Sequence, residues 1–452
     1  MNYQKRLLNV IPGGAHTYSR GFDQYPANAP QILTHGKGSY IFDSDANKYL
    51  DYGMALRAVN IGYAEDEIDN AAIAQIRYGN NLTRPSMIEL EAAEFLVELI
   101  DSVDMVKFTK NGSTAVSAAV KLARAYTGRD LVARCSDQPF FSFDDWFIGS
   151  TPIVKGIPQE TIEKTKMFGY NDILSLERLI SEFPGQIACV VLEAAATECP
   201  SIEDFKSGCC NQPICTRPYQ NSSENFLQQV ERLCKKHGIV FILDEMITGF
   251  RWDMKGAQHL YGVNPDISTF GKAMANGFSV ACVAGKREIM ELGSTEFLGR
   301  ERVFLLSTTH GAEMCGLGAF VETMKFMQKN NVISHLWSYG NQLINLINDL
   351  AATHGIEESF KAGGVACSPY YSTLDQSGNN SLELRTLFSQ EMIRQGVLMP
   401  WIALSYRHGI EELALTERAI DQTFKVYRRA LDESVEKYLV GDVIKPVFRK
   451  FN

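Results

Sequence analysis

"IVFILDEMITGF" (239–250) and "DISTFGKAMANG" (266–277) set charges at the ends of two apolar runs: Asp244 and Glu245 close the first, and Lys272 follows the second. A lone charge in a dry core costs several kcal/mol unless it is paired or titrated. Both runs read as buried strands. Continuous apolar strands separated by helices argue for a parallel sheet covered on both faces, and ligands in such sheets bind at the carboxyl ends of the strands. Asp244 and Lys272 both fall near such ends.

Outward from this pair the pattern is strand then helix. "MVKFT" (105–109) reads as a strand, and in "STAVSAAVKLARAYTG" (113–128) Val116, Ala119, Val120, Ala123 and Tyr126 share one helical face that stops at Gly128. "IACVVLEA" (187–194) is a buried strand, "ENFLQQVERLCKKHG" (224–238) a helix with a basic last turn and a terminating Gly238, and "SVACVAG" (279–285) a further strand. "SYIFDSDANKYLDY" (39–52) alternates apolar and polar residues around a D-A-N-K turn, as a hairpin does. After about residue 315 long helical patterns take over, followed by a mixed segment and a closing helix over 415–439. The expected architecture is α/β: a large domain over 59–315 with a mostly parallel central sheet, and a smaller α+β domain built from 316–452 with help from 1–58. No internal repeat is visible.

Composition narrows the function classes. With 452 residues, 45% hydrophobic, 21% charged, 35 Gly and 15 Pro, the chain lies near the globular average, which excludes disordered, collagen-like and coiled-coil proteins. Fifty-three acidic against 44 basic residues, without long runs of one sign, argue against nucleic acid as a partner. The opening "MNYQKRLLNVIPGG" has too short an apolar stretch for a secretory signal, and nowhere do eighteen apolar residues run together, so the expected location is cytoplasmic, with no membrane partner. Ten scattered cysteines, several inside apolar strands, read as reduced. The segment 199–222, rich in Cys, Pro, Asn and Ser, reads as a long surface loop. Its Cys209, Cys210 and Cys215 lack C-x-x-C spacing and an adjacent histidine, so no metal is expected there.

Three features then stand together: the strand-to-helix turn "KNGST" (110–114), the strand-end carboxylate in "LDEM" (243–246) and the strand-end lysine in "TFGKAMANG" (269–277). Gly112, Ser113 and Thr114 at a helix N-terminus offer backbone N–H groups and hydroxyls to a phosphate, although a plain Ser/Thr N-cap has the same spelling. A buried Asp244 suits a protonated pyridine nitrogen, and a lysine in an apolar site suits attack on an aldehyde. Taken singly, a structural ion pair accounts for Asp244 and a surface lysine for Lys272. Pyridoxal phosphate is the cofactor that asks for all three parts.

At these residues the chain resembles the class III pyridoxal-phosphate-dependent aminotransferases, and among them the glutamate-1-semialdehyde aminomutase-like branch. The resemblance runs in order through "IPGGAHTYSR", "GSYIFDSDANKYLDYG", "KNGSTAVSAAVKLARAYTG", "DWFIGST", "LDEMITGFR", "GKAMANG", "STTHGAE" and "RQGVLMP". It implies the fold type I architecture of such transferases, with Lys272 as the Schiff-base lysine, Asp244 on the pyridine nitrogen, and Gly112 and Ser113 at the phosphate. It also implies Phe140 stacked on the cofactor ring, Met246 on the other face, and Thr308 reaching the phosphate of a neighbouring subunit in a homodimer. Arg20 matches a substrate-carboxylate arginine of the aminomutase, whereas Arg57 stands where that enzyme has a small residue and adds a second charge for an acidic substrate. For each arginine a surface ion pair is the plainer role.

Departures lie on the substrate side. "FFS" (140–142) replaces the family's aromatic-His-Gly, "EAA" (193–195) replaces its Glu-Pro, and the cysteine-rich insertion follows. The expected activity is therefore transfer of an amino group from an amino donor to a carbonyl acceptor, with a sugar or sugar-acid intermediate of surface polysaccharide suggested by the resemblance of "GMALRAVNIGY" and "DWFIGSTP". The aminomutase reaction is the alternative. A non-catalytic member of the fold predicts loss of the lysine or the aspartate, and both are present.

Overall fold

The computed structural model describes residues 2–195, 198–201 and 224–451. By contacts the chain divides into two compact units, Asp66–Ile333 and Met1–Glu65 with Ser334–Asn452. The insertion 199–222 lies almost wholly outside the described residues, as do Cys209, Cys210 and Cys215.

The unit Asp66–Ile333 holds a seven-stranded sheet: β1 (Met105–Thr109), β2 (Leu131–Cys135), β3 (Thr165–Phe168), β4 (Ile187–Glu193), β5 (Val240–Glu245), β6 (Ile267–Phe270) and β7 (Ala281–Gly285). Their order in space is β1-β7-β6-β5-β4-β2-β3. Strand β7 runs antiparallel to both neighbours, and every other pair is parallel. The reason is length: only residues 271–280 separate β6 from β7, too few for the crossover that a parallel return needs. Every residue of β2, β4, β5, β6 and β7 is buried, which explains their mostly apolar spelling.

Helix Gly112–Thr127 lies against β4, β5, β6 and β7. Its Val116, Ala119, Val120 and Ala123 are buried as the periodicity predicts, but Tyr126 is exposed and its hydroxyl donates to Glu288. Gly128 ends the helix in the left-handed conformation, φ 67°, which glycine adopts without a Cβ clash. Helix Met314–Lys329 packs on Asp66–Arg77 and Met87–Leu99, so it belongs to this unit, and the division falls at 333/334 on one side and 65/66 on the other.

The other unit is α+β. Strands Tyr40–Asp43 and Lys48–Asp51 form the expected antiparallel hairpin, its turn held by the Asp43 carboxylate, which accepts from the backbone N–H of Asp45 and of Asn47 at 2.9 Å each. A second hairpin, Phe360–Val365 with Ser368–Thr373, shares an aromatic cluster of Phe360, Tyr371, Phe388 and Phe424 with the long helices. All seven cysteines among the described residues are free thiols.

Candidate active site

Register places the central groups. Asp244 is the penultimate residue of β5 and sits opposite Thr269 of β6 on one side and Glu193 of β4 on the other. Its side chain is only 2% exposed. The Oδ1 oxygen accepts from the Met246 backbone N–H at 2.9 Å and from Thr269 Oγ1 at 3.2 Å. Burial pushes this carboxyl up to about 6, while the Lys272 charge and the two hydrogen bonds oppose the rise. Glu245, next in sequence, is a different kind of group: fully buried, it accepts from Thr248 Oγ1 and from the N–H groups of Ala257 and Gln258 at 3.1 and 2.8 Å. It pins the chain that follows β5.

Lys272 lies two residues beyond β6, at the start of the tight turn Lys272–Ala275, with φ 40°. A non-glycine residue in that region is strained, and such strain concentrates at functional sites. Close approach around Met246 ties the parts together. A Cβ at Gly271 would stand 2.6 Å from the Met246 sulfur, and one at Gly112 would stand 2.7 Å from it. The thioether, packed with Ala115 and Ala281, therefore fills the space between the "KNGST" turn and the residue preceding Lys272, where only glycines leave room.

At the start of helix Gly112–Thr127, Asn111 caps through Oδ1, accepting from Thr114 N at 2.9 Å and Thr114 Oγ1 at 3.0 Å. The Ser113 hydroxyl accepts from the Phe143 backbone N–H at 3.2 Å, which leaves its own proton to donate. Nearby, Gln138 ties the segment after β2 to the end of β4 through both its amide groups. Phe140 is 46% exposed and meets Phe147 edge-on, while Phe141 is buried against the same ring. Thr308 is exposed in the same unit; its carbonyl accepts from Gly311 N at 3.2 Å, and Asn81 donates to the neighbouring Thr309 carbonyl at 3.0 Å.

The two arginines belong to the other unit. Arg20 ends the short turn Tyr18–Arg20 and lines a cavity of about 1110 Å³ together with Tyr25, Asp51, Tyr63, Leu398 and Trp401. Arg57 closes a turn, Met54–Arg57, in which four successive non-glycine residues are left-handed, φ 38°, 49°, 63° and 65°. Asp51 holds the entry to that turn. Its carboxylate accepts from Gly53 N at 2.7 Å, Met54 N at 3.0 Å and the Tyr63 hydroxyl at 2.7 Å, and burial raises its pKa. Trp401 donates to the Gly53 carbonyl at 3.1 Å.

Residues 23–199 and 219–401 match the family described as aminotransferase class III. The chain is a class III aminotransferase. The enzyme is 30% identical over 435 residues to the 3-aminobutyryl-CoA aminotransferase of Cloacimonas acidaminovorans, covering 95% of this chain and 98% of the relative. It is 25% identical over 445 residues to the glutamate-1-semialdehyde 2,1-aminomutase of Francisella philomiragia, covering 95% and 97%. It shares its fold with the FumI protein of Sphingopyxis sp. MTA144, solved in its pyridoxal-phosphate internal aldimine form, at a TM-score of 0.81 and 24% identity over 95% of this chain and 97% of that one.

The aminotransferase uses pyridoxal phosphate, and the residues present fit that cofactor. A desolvated carboxylate suits a protonated ring nitrogen, a lysine one strand away suits an aldehyde, and a glycine-opened helix N-terminus suits a phosphate. Among the described residues no group of three His, Cys, Asp or Glu side chains is arranged to hold a metal, and no helix is long and apolar enough to cross a membrane. Thr269 was not visible as a site residue in the sequence, because a threonine inside a strand is ordinary and its role depends on register across two strands.

Proposed function

We propose that this aminotransferase moves an amino group from a donor to a separate carbonyl acceptor in two half-reactions, with Lys272 and Asp244 as its catalytic pair. The observation that carries the reading is the buried Asp244 carboxylate, electrostatically coupled to Lys272 at the ends of two adjacent strands. Pyridoxal phosphate supplies an aldehyde to carry the amino group and a ring to accept electrons. With Oδ1 engaged by Met246 and Thr269, Asp244 Oδ2 holds the proton on the ring nitrogen. Lys272 Nζ would be the amine that holds the cofactor's aldehyde; displaced by the donor's amine, it would take a proton from the donor's carbon and later return one, acting as base and then acid. Gly112 and Ser113 bind the phosphate, Phe140 and Met246 enclose the ring, and Thr308 reaches the phosphate of a second copy in a cytoplasmic homodimer.

Aminotransfer is favoured over the aminomutase reaction because the departures at Phe141 and Arg57 change the substrate side and spare Lys272, Asp244, Gly112 and Ser113. Arg20 and Arg57 serve an acidic substrate. A sugar or sugar-acid intermediate of surface polysaccharide is the acceptor class suggested by the "GMALRAVNIGY" and "DWFIGSTP" segments. The 30% identity to an enzyme named for 3-aminobutyryl-CoA supports a second candidate, a β-amino thioester as donor. Adding amino donors singly to the cofactor-loaded protein, then oxo acceptors, separates these cases by the cofactor's absorbance and by the released oxo acid. Isomerisation of glutamate-1-semialdehyde with no oxo acid released would sink the aminotransfer reading.

A further inference from the structure

Ser142 stands where the resembling family carries glycine, and its surroundings are unlike those of a tolerated surface change. The side chain is fully buried and three polar groups converge on its hydroxyl: Ser117 Oγ at 2.9 Å, the Ser113 carbonyl at 3.2 Å and the Asp144 backbone N–H at 3.1 Å. Trp146 Nε1 donates to Ser117 Oγ at 2.9 Å. The direction of this chain is fixed by its ends. An indole N–H can only donate and a carbonyl can only accept, so the protons run from Trp146 to Ser117, from Ser117 to Ser142, and from Ser142 to the Ser113 carbonyl. Asp144 N–H fills the second lone pair of Ser142, which leaves its hydroxyl with one donated and two accepted bonds.

The next residue makes a second link to the same place, since Phe143 N–H donates to the Ser113 hydroxyl at 3.2 Å. The segment carrying Phe140 is thus fastened to both the main chain and the side chain of Ser113, at the first turn of helix Gly112–Thr127. Directed chains of hydrogen bonds polarise one another in a low-dielectric interior. A glycine at 142 would remove the side-chain tie and leave Ser117 and Asp144 N–H without their acceptor.

We propose that Ser142 is a positioning residue for the phosphate turn, holding the Ser113 peptide and hydroxyl in the orientation that receives the cofactor's phosphate. This rests on the assignment of Gly112 and Ser113 to that phosphate. The role is selective: the tie serves the phosphate end of the cofactor and leaves the aldehyde end at Lys272 untouched.

The test is a binding titration of cofactor-free protein with pyridoxal phosphate and with pyridoxal, which lacks the phosphate. For Ser142→Ala the dissociation constant for pyridoxal phosphate is expected to rise roughly tenfold, the effect of one or two lost hydrogen bonds, while that for pyridoxal changes by less than about twofold. Ser117→Ala, which keeps Ser142 but cuts the chain upstream, should shift the same ratio in the same direction by less, and it preserves the test if Ser142→Ala folds poorly. An unchanged preference for the phosphate in both variants, or equal weakening of both ligands, overturns the proposal. Ser113→Ala, titrated with the same two ligands, reads the underlying assignment separately: an unshifted preference for pyridoxal phosphate there overturns the assignment of Ser113 to the phosphate, whereas a shifted preference there with an unshifted one in Ser142→Ala overturns only the role of Ser142.

Discussion

Asp244 and Arg57 both sit where the chain pays for an unusual arrangement, yet the two arrangements differ in kind. At Asp244 the unfavourable element is desolvation of a carboxylate in a regular strand, and its neighbours are set by register: Thr269 across β6, Glu193 across β4. At Arg57 the unfavourable element is backbone geometry, four left-handed residues in succession, each costing about 1–2 kcal/mol for an L-residue. What holds that turn comes from elsewhere in its unit, namely Asp51, Tyr63 and Trp401. A charge inside an apolar run is visible in a sequence. Left-handed strain is not, because "MALR" is spelled with good helix formers.

The largest expected effect breaks the first arrangement outright. Lys272→Ala removes both the covalent attachment and the proton carrier, and turnover should fall by roughly 10⁴-fold or more, while the melting temperature of the cofactor-free protein stays near that of the wild type. Turnover close to wild type would remove Lys272 from the chemistry.

Asp244→Asn is next. A neutral amide does not hold the pyridinium proton, so the donor half-reaction should slow by roughly a hundredfold or more, measured by stopped-flow absorbance. An unchanged half-reaction would exclude Asp244. The same variant has a signature without cofactor. Burial raises the folded pKa of Asp244 from 3.8 to about 6, so the protonated side chain favours the fold; that contribution is complete below about pH 4 and is lost as the pH rises through about 6, a change on the order of 3 kcal/mol. The stability of the wild type relative to Asp244→Asn should therefore decline between pH 4 and 6 in denaturant titrations. Asp51 and Glu231, also raised by burial, titrate alike in both proteins and cancel, whereas Glu245, raised by burial and to a lesser extent by the Asp244 charge, is read together with Asp244. A flat difference would mean that the carboxylate is better solvated or paired than its burial implies.

Much of the unit Asp66–Ile333 was legible because local signals and tertiary structure agree there. "IVFILDE" is β5, the "KNGST" turn opens a helix, and Gly128 and Gly238 end two helices in left-handed caps. The direction of β7 was not spelled by its apolar residues; it follows from the length of the link before it. Tyr126 falls on the apolar face by period but is exposed, its hydroxyl donating to Glu288, since an aromatic with a hydroxyl satisfies either environment. Ser142 reads in the sequence only as a departure, because the hydroxyl chain that uses it joins residues 113, 117, 142 and 146, which no periodicity links. In the other unit the hairpin was legible from its alternation and its Asp-rich turn, whereas the surroundings of Arg20 and Arg57 depend on contacts far apart in sequence.

The arginines give a smaller, more selective effect. Truncating Arg20 or Arg57 to alanine should raise the KM for an acidic substrate by roughly ten- to 150-fold, the equivalent of losing a charge-assisted hydrogen bond of about 1.5–3 kcal/mol. A neutral substrate should respond much less, and the cofactor spectrum should not move. Measuring donor and acceptor half-reactions separately assigns each arginine to a substrate; if neither variant alters either one, both arginines are structural and the acidic-substrate proposal falls.

The smallest effect addresses the strained turn itself. Ala55 sits at φ 49°, where glycine carries no Cβ penalty. Ala55→Gly should therefore recover about 1–2 kcal/mol of left-handed strain. Against this stand the greater freedom of glycine in the unfolded chain, about 0.5–1 kcal/mol, and loss of a methyl that packs beside Met54, Val59 and Ala403. The expected net result is stabilisation of about 0.5 kcal/mol, read from denaturant titration. If the turn exists to present Arg57, the more stable variant should bind an acidic substrate less well, since glycine loosens the backbone that aims the guanidinium. Stabilisation accompanied by a higher KM for the acidic substrate, with KM for a neutral one unchanged, would tie the strain to recognition. Stabilisation with both KM values unchanged would separate them and leave the left-handed turn as a structural connection, and destabilisation would mean that the Ala55 methyl outweighs the geometry of its backbone.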